Sequence, residues 1–252
     1  MKTRKRFGQH FLRDSGVLKR IVEAIAPASG DVVVEIGPGE GALTRPLLER
    51  VERLSAIEID RDLAGRLAGE FPENRLKVHC GDALDFDFST FPKGVRLVGN
   101  LPYNVSTPLL FHLARCAGHV RDMHFMLQLE VVERMVARPS TPAYGRLSVM
   151  LQTCFRMRKL FEVPPGAFRP SPRVDSAVVR LVPSEPEDFP RFDRRIFEDL
   201  ARQAFSARRK TLRNALPLKP QDYAALEIDP KLRPENLSPS DYVRIARRIA
   251  GQ

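Results

Sequence analysis

Tryptophan is absent from the 252 residues, cysteine occurs three times, and no apolar run reaches the ~18 residues that a membrane-spanning helix needs. Cys80, Cys116 and Cys154 are far apart and form no C-x-x-C pair, which argues against a disulfide framework and a zinc cluster and favours a reducing cytosol. His79, His112, His119 and His124 are scattered, and none pairs at ligand spacing with another His or Cys, so no metal is expected. The opening stretch MKTRKRFGQHFL has no apolar core of the kind a signal peptide requires. Neither secretion nor membrane insertion is expected, and the protein is expected in the cytoplasm. Internal repeats and low-complexity tracts are also missing.

What is present is a globular composition, 43% hydrophobic against 29% charged. The length suits one large domain, or a large one with a small one. The net charge is +10, and its placement says more than its sum. Residues 1–20 carry +6, residues 185–252 carry +3, and the long middle only +1. Basic ends on a neutral middle fit a polyanionic partner gripped from both sides, although basic ends that only aid solubility would look the same.

Along the chain, Val17, Leu18, Ile21, Val22 and Ile25 recur at helical spacing, and Pro27 with Gly30 ends that helix. Short aliphatic runs at 32–36, 54–59, 76–79 and 95–98 then alternate with helical stretches. Such alternation predicts a parallel sheet covered on both faces, with ligands beyond the carboxyl ends of the strands. A further strand is predicted at 124–129, a helix at 145–155, an irregular proline-rich loop at 163–172, and a strand at 176–182 that closes the sheet. The polar, proline-punctuated stretch 184–190 marks a linker. Beyond it helices are predicted at 192–205 and 208–216, with a short piece near Tyr223 and a last helix opened by Ser238-Pro239. The expected organisation is an α/β domain over 1–184, with its basic arm, and an all-helical domain over 185–252.

The strand ends carry the chemistry. Gly37-Pro38-Gly39-Glu40-Gly41 follows the first parallel strand, where glycines let the backbone turn and approach a ligand at a helix start. Glu58 ends the next strand, at the place where an acid can accept both hydroxyls of a ribose. Neither feature separates NAD from S-adenosyl-L-methionine. Asp82, after the third strand, can accept from an adenine amino group, though an acid there is more often a loop residue or helix cap. After the fourth strand comes Asn100-Leu101-Pro102-Tyr103. It offers an amide oxygen, a proline-fixed carbonyl and a ring for stacking, the parts that hold the exocyclic amine of a flat base. That amine is a poor nucleophile because its lone pair is delocalised, and two acceptors on its hydrogens make the lone pair available.

Taken together, Phe7-Gly8-Gln9-His10-Phe11-Leu12, Val34-Glu35-Ile36-Gly37-Pro38-Gly39, Asn100 to Pro108, and Val163-Pro164-Pro165 through Phe168 to Val174-Asp175-Ser176 closely resemble the ribosomal RNA adenine dimethyltransferases. The likeness runs from Arg4 to beyond Tyr242 and is strongest to the bacterial branch that dimethylates N6 of two adjacent adenosines near the 3′ end of 16S rRNA, the activity linked to kasugamycin sensitivity. It implies a Rossmann-like methyltransferase domain with a small helical C-terminal domain and S-adenosyl-L-methionine as cofactor. It also implies 16S rRNA in the 30S subunit or its precursor as partner, with the protein acting as a monomer in ribosome biogenesis. By the same likeness His10, Leu12, Gly37, Glu58, Asp82 and Asn100 contact the cofactor. Asn100, Leu101, Pro102 and Tyr103 grip the target adenine, and Phe168 closes over its other face. The family commonly has Asn at the position of His10, and an imidazole can also donate or accept a hydrogen bond. Arg4, Lys5, Arg6, Arg208, Arg209, Lys210 and Arg213 are expected to meet RNA phosphates.

Three other readings remain open on sequence. A large-subunit (23S) rRNA adenine methyltransferase of the macrolide-resistance type would share the pocket and read another RNA. A ribosome-assembly factor without catalysis would keep the scaffold, and an intact Asn100 to Tyr103 speaks against it. An NAD-dependent oxidoreductase would explain Gly37 to Ala42 but not Asn100 to Tyr103.

Overall fold

A computed structural model describes residues 10–103, 105–185 and 187–251. In chain order the elements are β1 (Phe11–Leu12), α1 (Ser15–Ile25), β2 (Val33–Ile36), α2 (Thr44–Leu48), β3 (Leu54–Glu58), α3 (Arg61–Glu70), β4 (Leu76–Cys80), β5 (Val95–Asn100), α4 (Ser106–Arg115), β6 (Val120–Gln128), α5 (Leu129–Val136), α6 (Arg146–Gln152), β7 (Phe155–Val163), β8 (Phe168–Arg169), β9 (Ser176–Pro183), α7 (Arg194–Ser206), α8 (Leu212–Ala215), α9 (Pro220–Leu226) and α10 (Pro239–Ile249). They fall into two compact units, residues 1–132 with 157–183, and residues 133–156 with 184–252. The expected two-part division is therefore altered in one respect: the second unit takes in the stretch 133–156 as well as the tail. A stretch inserted between two strands of the sheet carries no compositional mark of where it packs.

The first unit is built on a seven-stranded sheet of order β4-β3-β2-β5-β6-β9-β7. Strands β2 to β6 pair in parallel, and β9 runs antiparallel to β6. All four residues of β2 are buried, which is why it reads as a continuous apolar run rather than an alternating one. The strand at 176–182 does not close the sheet as expected. It sits between β6 and β7, and β7 forms the edge. That nine-residue strand begins at Phe155, so the helix predicted to reach Phe155 ends at Gln152.

Helix α1 begins at an Asp14 cap, whose carboxylate accepts the Val17 N–H at 2.9 Å, and it buries Val17, Ile21, Val22 and Ile25. These side chains share one apolar cluster with Leu47, Leu54, Val98, Met126 and Val178. At the end of the sheet opposite the glycine loop, Arg96 of β5 is 4% exposed. Its guanidinium makes a two-pronged contact with Asp122 of β6 at 2.8 and 2.9 Å, reaches Asp31 at 2.7 Å, and donates to the Ile25 carbonyl where α1 ends. The predicted irregular loop at 163–172 contains one paired segment: β8 joins β1 antiparallel, with Phe11 opposite Arg169 and Leu12 opposite Phe168. The Ala167 carbonyl also receives the Arg13 N–H at 2.8 Å. The basic arm is thus fastened to the loop from residue 10 onward.

The second unit is helical. Asp193 caps α7 by accepting the N–H groups of Arg195 and Ile196. Ser238 caps α10 in a capping box with Asp241, with Pro239 in the first turn. Its core has no tryptophan and uses tyrosine instead. Tyr144 and Tyr242 are fully buried and donate to the carbonyls of Leu237 and Pro234, both at 2.9 Å, while Phe205 stacks on Tyr242. Burial pushes both phenols up. The helix expected over 208–216 is only α8, one turn from Leu212. Its first N–H groups are taken by the carbonyls of Leu232 and Pro230. Arg209 and Lys210 therefore lie on a turn and do not share a helical face with Arg213.

Candidate active site

A pocket opens at the carboxyl ends of β2, β3, β4 and β5 in the first unit, where the strand-end rule places it. Gly37 and Gly39 turn the chain there with φ of +68° and +57°, a region costly for any residue with a Cβ. A Cβ on Gly39 would lie 3.0 Å from the ring of Phe11, because the arm packs over this loop. Gly41 is closed in the same way, by Leu67 and Arg45. An ion pair between Arg13 and Glu40 also ties the arm to the loop.

Four carboxylates line the pocket: Glu40, paired with Arg13, and Glu58, Glu35 and Asp82. Glu58, 2% exposed, accepts the N–H groups of Gly39 and Asp60 at 3.0 and 2.9 Å. Burial pushes its carboxyl above the ordinary carboxylate range, and those backbone donors work the other way. Glu35, also 2% exposed, accepts the Thr44 hydroxyl at 2.6 Å. Burial pushes its carboxyl up to about 7, the Thr44 hydrogen bond opposes that rise, and the neighbouring Glu58 charge adds to it. Asp82 uses one oxygen to hold the Leu84 N–H at 2.9 Å, which shapes its loop and leaves the second oxygen for a ligand. Ile59, Ala83 and Leu84 add apolar walls on this side.

Across the pocket, β5 ends at Asn100. Its amide nitrogen donates to the His10 carbonyl at 3.0 Å, so the amide oxygen is left as an acceptor. Gly99 before it must be glycine, since a Cβ there would stand 2.3 Å from the Ile36 carbonyl oxygen. Leu101 is buried, and its N–H binds the Met126 carbonyl at 3.1 Å. Ser106 donates to the Pro102 carbonyl at 2.8 Å and locks the turn that presents Tyr103. His10 donates from Nδ1 to the Pro170 carbonyl at 2.8 Å, and its ring lies 5.6 Å from that of Tyr103.

Of the expected site residues, His10, Leu12, Gly37, Glu58, Asp82, Asn100, Leu101, Pro102 and Tyr103 all line this one pocket. Phe168 does not. It is fully buried in the core cluster and pairs with Leu12 through β8, so here it is a core aromatic and not a cover for a base. Phe11, Glu35 and Ser176 are among the lining or supporting residues that were given no role on sequence. Glu35 had a visible signal, an acid inside a fully apolar strand. Ser176 had none, because its partner is 73 residues away.

The basic residues divide. Arg4, Lys5 and Arg6 lie outside the described residues. In the second unit Arg209, Lys210 and Arg213 are exposed, and no ion pair involves them among the described residues. Arg208 is half-buried and engaged, with Glu235 at 2.5 Å and the Pro142 carbonyl at 2.9 Å. It braces the unit rather than facing outward. Among the described residues no cluster of three or more His, Cys, Asp or Glu could hold a metal, and no helix is long and apolar enough to cross a membrane.

Residues 1–251 match a family model described as ribosomal RNA adenine dimethylase. Among curated proteins, the ribosomal RNA small subunit methyltransferase A of Thiobacillus denitrificans is 57% identical over 98% of both chains. Its counterpart in Aromatoleum aromaticum is 56% identical over 100% of this chain and 96% of its own. Among solved structures, a dimethyladenosine transferase from Plasmodium falciparum superposes with a TM-score of 0.82 at 28% identity, covering 96% of this chain and 98% of its own. The 23S rRNA methyltransferase ErmE superposes with a TM-score of 0.71 at 25% identity, covering 95% of this chain and 99% of its own.

Proposed function

The chain belongs to the ribosomal RNA adenine dimethylase family, and from that premise we propose that it dimethylates N6 of two adjacent adenosines near the 3′ end of 16S rRNA, using S-adenosyl-L-methionine. The observation that carries this reading is Asn100. Its amide is held by the His10 carbonyl at the mouth of β5, with its oxygen left as an acceptor beside Tyr103.

The pocket suits the cofactor in shape and charge. The glycine turn gives close backbone approach, and a Cβ on Gly39 would meet the arm that covers it. Glu58 and Asp82 offer acceptors for ribose hydroxyls and an adenine amine, and Glu35 adds a carboxylate near the glycine loop. When bound, the cofactor supplies a methyl group already activated on a sulfonium. The protein's task is then alignment more than acid or base catalysis. A target adenine must leave its stack, at a cost of a few kcal/mol that stacking on an aromatic ring offsets. Tyr103 offers that ring. The Asn100 oxygen and the Leu101 carbonyl accept from the amine hydrogens and localise its lone pair.

Small-subunit rRNA is favoured over large-subunit rRNA by the relatives: proteins named for the small subunit are 51–57% identical, against 25% for the 23S enzyme. The partner is 16S rRNA in the 30S subunit or its precursor, met by a monomer in the cytoplasm during ribosome biogenesis. Arg209, Lys210 and Arg213 of the second unit, with Arg4, Lys5 and Arg6 of the arm, contact phosphates. Mapping N6-dimethyladenosine in 16S rRNA of cells supplied with the wild-type or the Asn100→Ala protein tests the reading. The mark should appear with the first and be missing with the second, and its presence in both would sink the assignment of Asn100.

A further inference from the structure

Ser176 and Tyr103 are 73 residues apart in sequence, yet their hydroxyl oxygens lie 2.7 Å apart. The sheet explains how they meet. Parallel strands bring their last residues to the ligand edge, whereas an antiparallel strand brings its first. Ser176 opens β9 and stands opposite Gln128, the last residue of β6. It is fully buried, so a polar hydroxyl has been placed in a dry position where it needs a partner. That partner is Tyr103.

The Tyr103 ring has two further constraints. The His10 ring is 5.6 Å away with an interplanar angle of 30°, and its Nδ1 is fixed on the Pro170 carbonyl at 2.8 Å. On the backbone just before Tyr103, the Ser106 hydroxyl holds the Pro102 carbonyl at 2.8 Å. Burial raises the Tyr103 phenol and the Ser176 hydroxyl works against that rise, so the two meet as neutral hydroxyls at neutral pH.

We infer that Ser176 is a positioning residue for the target base: its hydrogen bond to Tyr103, with His10 packed beside the ring, sets the plane on which the adenine stacks. The inference rests on the rRNA adenine reading above. The tilt of a stacking platform decides where the exocyclic amine falls relative to the Asn100 oxygen, and a misplacement of ~1 Å at a reacting centre can cost ~100-fold in rate. Losing the Ser176 hydroxyl frees the ring to swing while leaving the cofactor side of the pocket intact.

The test is single-turnover methyl transfer to 30S subunits by Ser176→Ala, Tyr103→Phe and the double variant, with cofactor affinity measured by calorimetry. Each single variant should lose about tenfold in rate, with cofactor affinity unchanged, and the double variant should lose no more than either single. Tyr103→Phe removes only the hydroxyl of a half-buried ring, so it probes the same bond from its other end. Ser176→Thr should restore most of the rate. In protein with ¹³C-labelled tyrosine, the Tyr103 ring signal, identified by its loss in Tyr103→Phe, should shift in Ser176→Ala. Rates within twofold of wild type, or losses that add in the double variant, overturn the inference. If wild type itself transfers no methyl group to 30S subunits, the rRNA reading fails, and an unshifted Tyr103 signal would overturn the pairing separately.

Discussion

Glu35 gives this fold a measurable dependence on pH. An acid in the middle of β2, 2% exposed, has its carboxyl pushed up to about 7, first by burial, against the Thr44 hydrogen bond and with the help of the Glu58 charge. The ordinary value is 4.5, so the native state binds this proton more tightly than the unfolded chain does. Stability then falls as pH rises from about 4.5 to about 7, and levels off beyond. At ~1.36 kcal/mol for each pH unit the loss totals about 3 kcal/mol. Glu35→Gln keeps an acceptor for Thr44 and removes the charge. Urea unfolding followed by circular dichroism at pH 5, 6, 7 and 8 should find the variant close to wild type at pH 5 and up to about 3 kcal/mol more stable at pH 8. A difference that stays constant across this range would refute the reasoning. A carboxylate that costs this much invites a cation, and the pocket's cofactor carries one. Cofactor binding at pH 6.5 should therefore release about three-quarters of a proton, seen by calorimetry in buffers of different ionisation enthalpy, and Glu35→Gln should release almost none.

Other consequences can be measured as directly. Asn100→Ala should lower the methyl-transfer rate by about a hundredfold or more, the scale of losing one preorganised polar group aimed at a reacting centre, as measured for oxyanion-hole donors, with thermal stability close to wild type. Gly99→Ala must push β5 away from the Ile36 carbonyl, and it should cost about 1–3 kcal/mol and weaken cofactor binding. Arg96→Met leaves Asp122 buried without its two-pronged partner and should cost about 3–5 kcal/mol in urea unfolding, most of it recovered in Arg96→Met with Asp122→Leu. Changing Arg209, Lys210 and Arg213 to Glu should weaken 30S binding and flatten its salt dependence by about two to three phosphate contacts. Arg208→Ala should leave that salt slope nearly unchanged, because its guanidinium is already occupied by Glu235 and Pro142.

The elements that were legible in the sequence are those whose signal is local. Helix α1 announced itself by apolar spacing closed by Pro27 and Gly30, α10 by Ser238-Pro239, and the parallel strands by short aliphatic runs. Seven of the expected pocket residues, Gly37, Glu58, Asp82 and Asn100 to Tyr103, stand at strand ends where one rule places ligands, whereas His10 and Leu12 in the arm came only from the family resemblance. The misread elements depended on distant partners. Strand β7 is amphipathic enough to escape notice and pairs at the far side of β9. The helix drawn over 208–216 shrank to α8 because carbonyls of Pro230 and Leu232 claim its first N–H groups. Arg208 looked like its neighbours, and only the fold gave it Glu235.

By itself the sequence determined the alternating α/β order, the glycine turn, the acids at the ends of β3 and β4, and the Asn-Leu-Pro-Tyr end of β5, because backbone period, glycine and proline act within a few residues. The tertiary structure alone decided that the arm covers the glycine loop, that Phe168 belongs to the core, that Glu35 is dry enough to hold a proton near neutral pH, and that Ser176 meets Tyr103. Each of these depends on burial or on a contact between strands far apart in the chain, and a desolvated charge or a hydroxyl pair exists only once the sheet has brought its partners together.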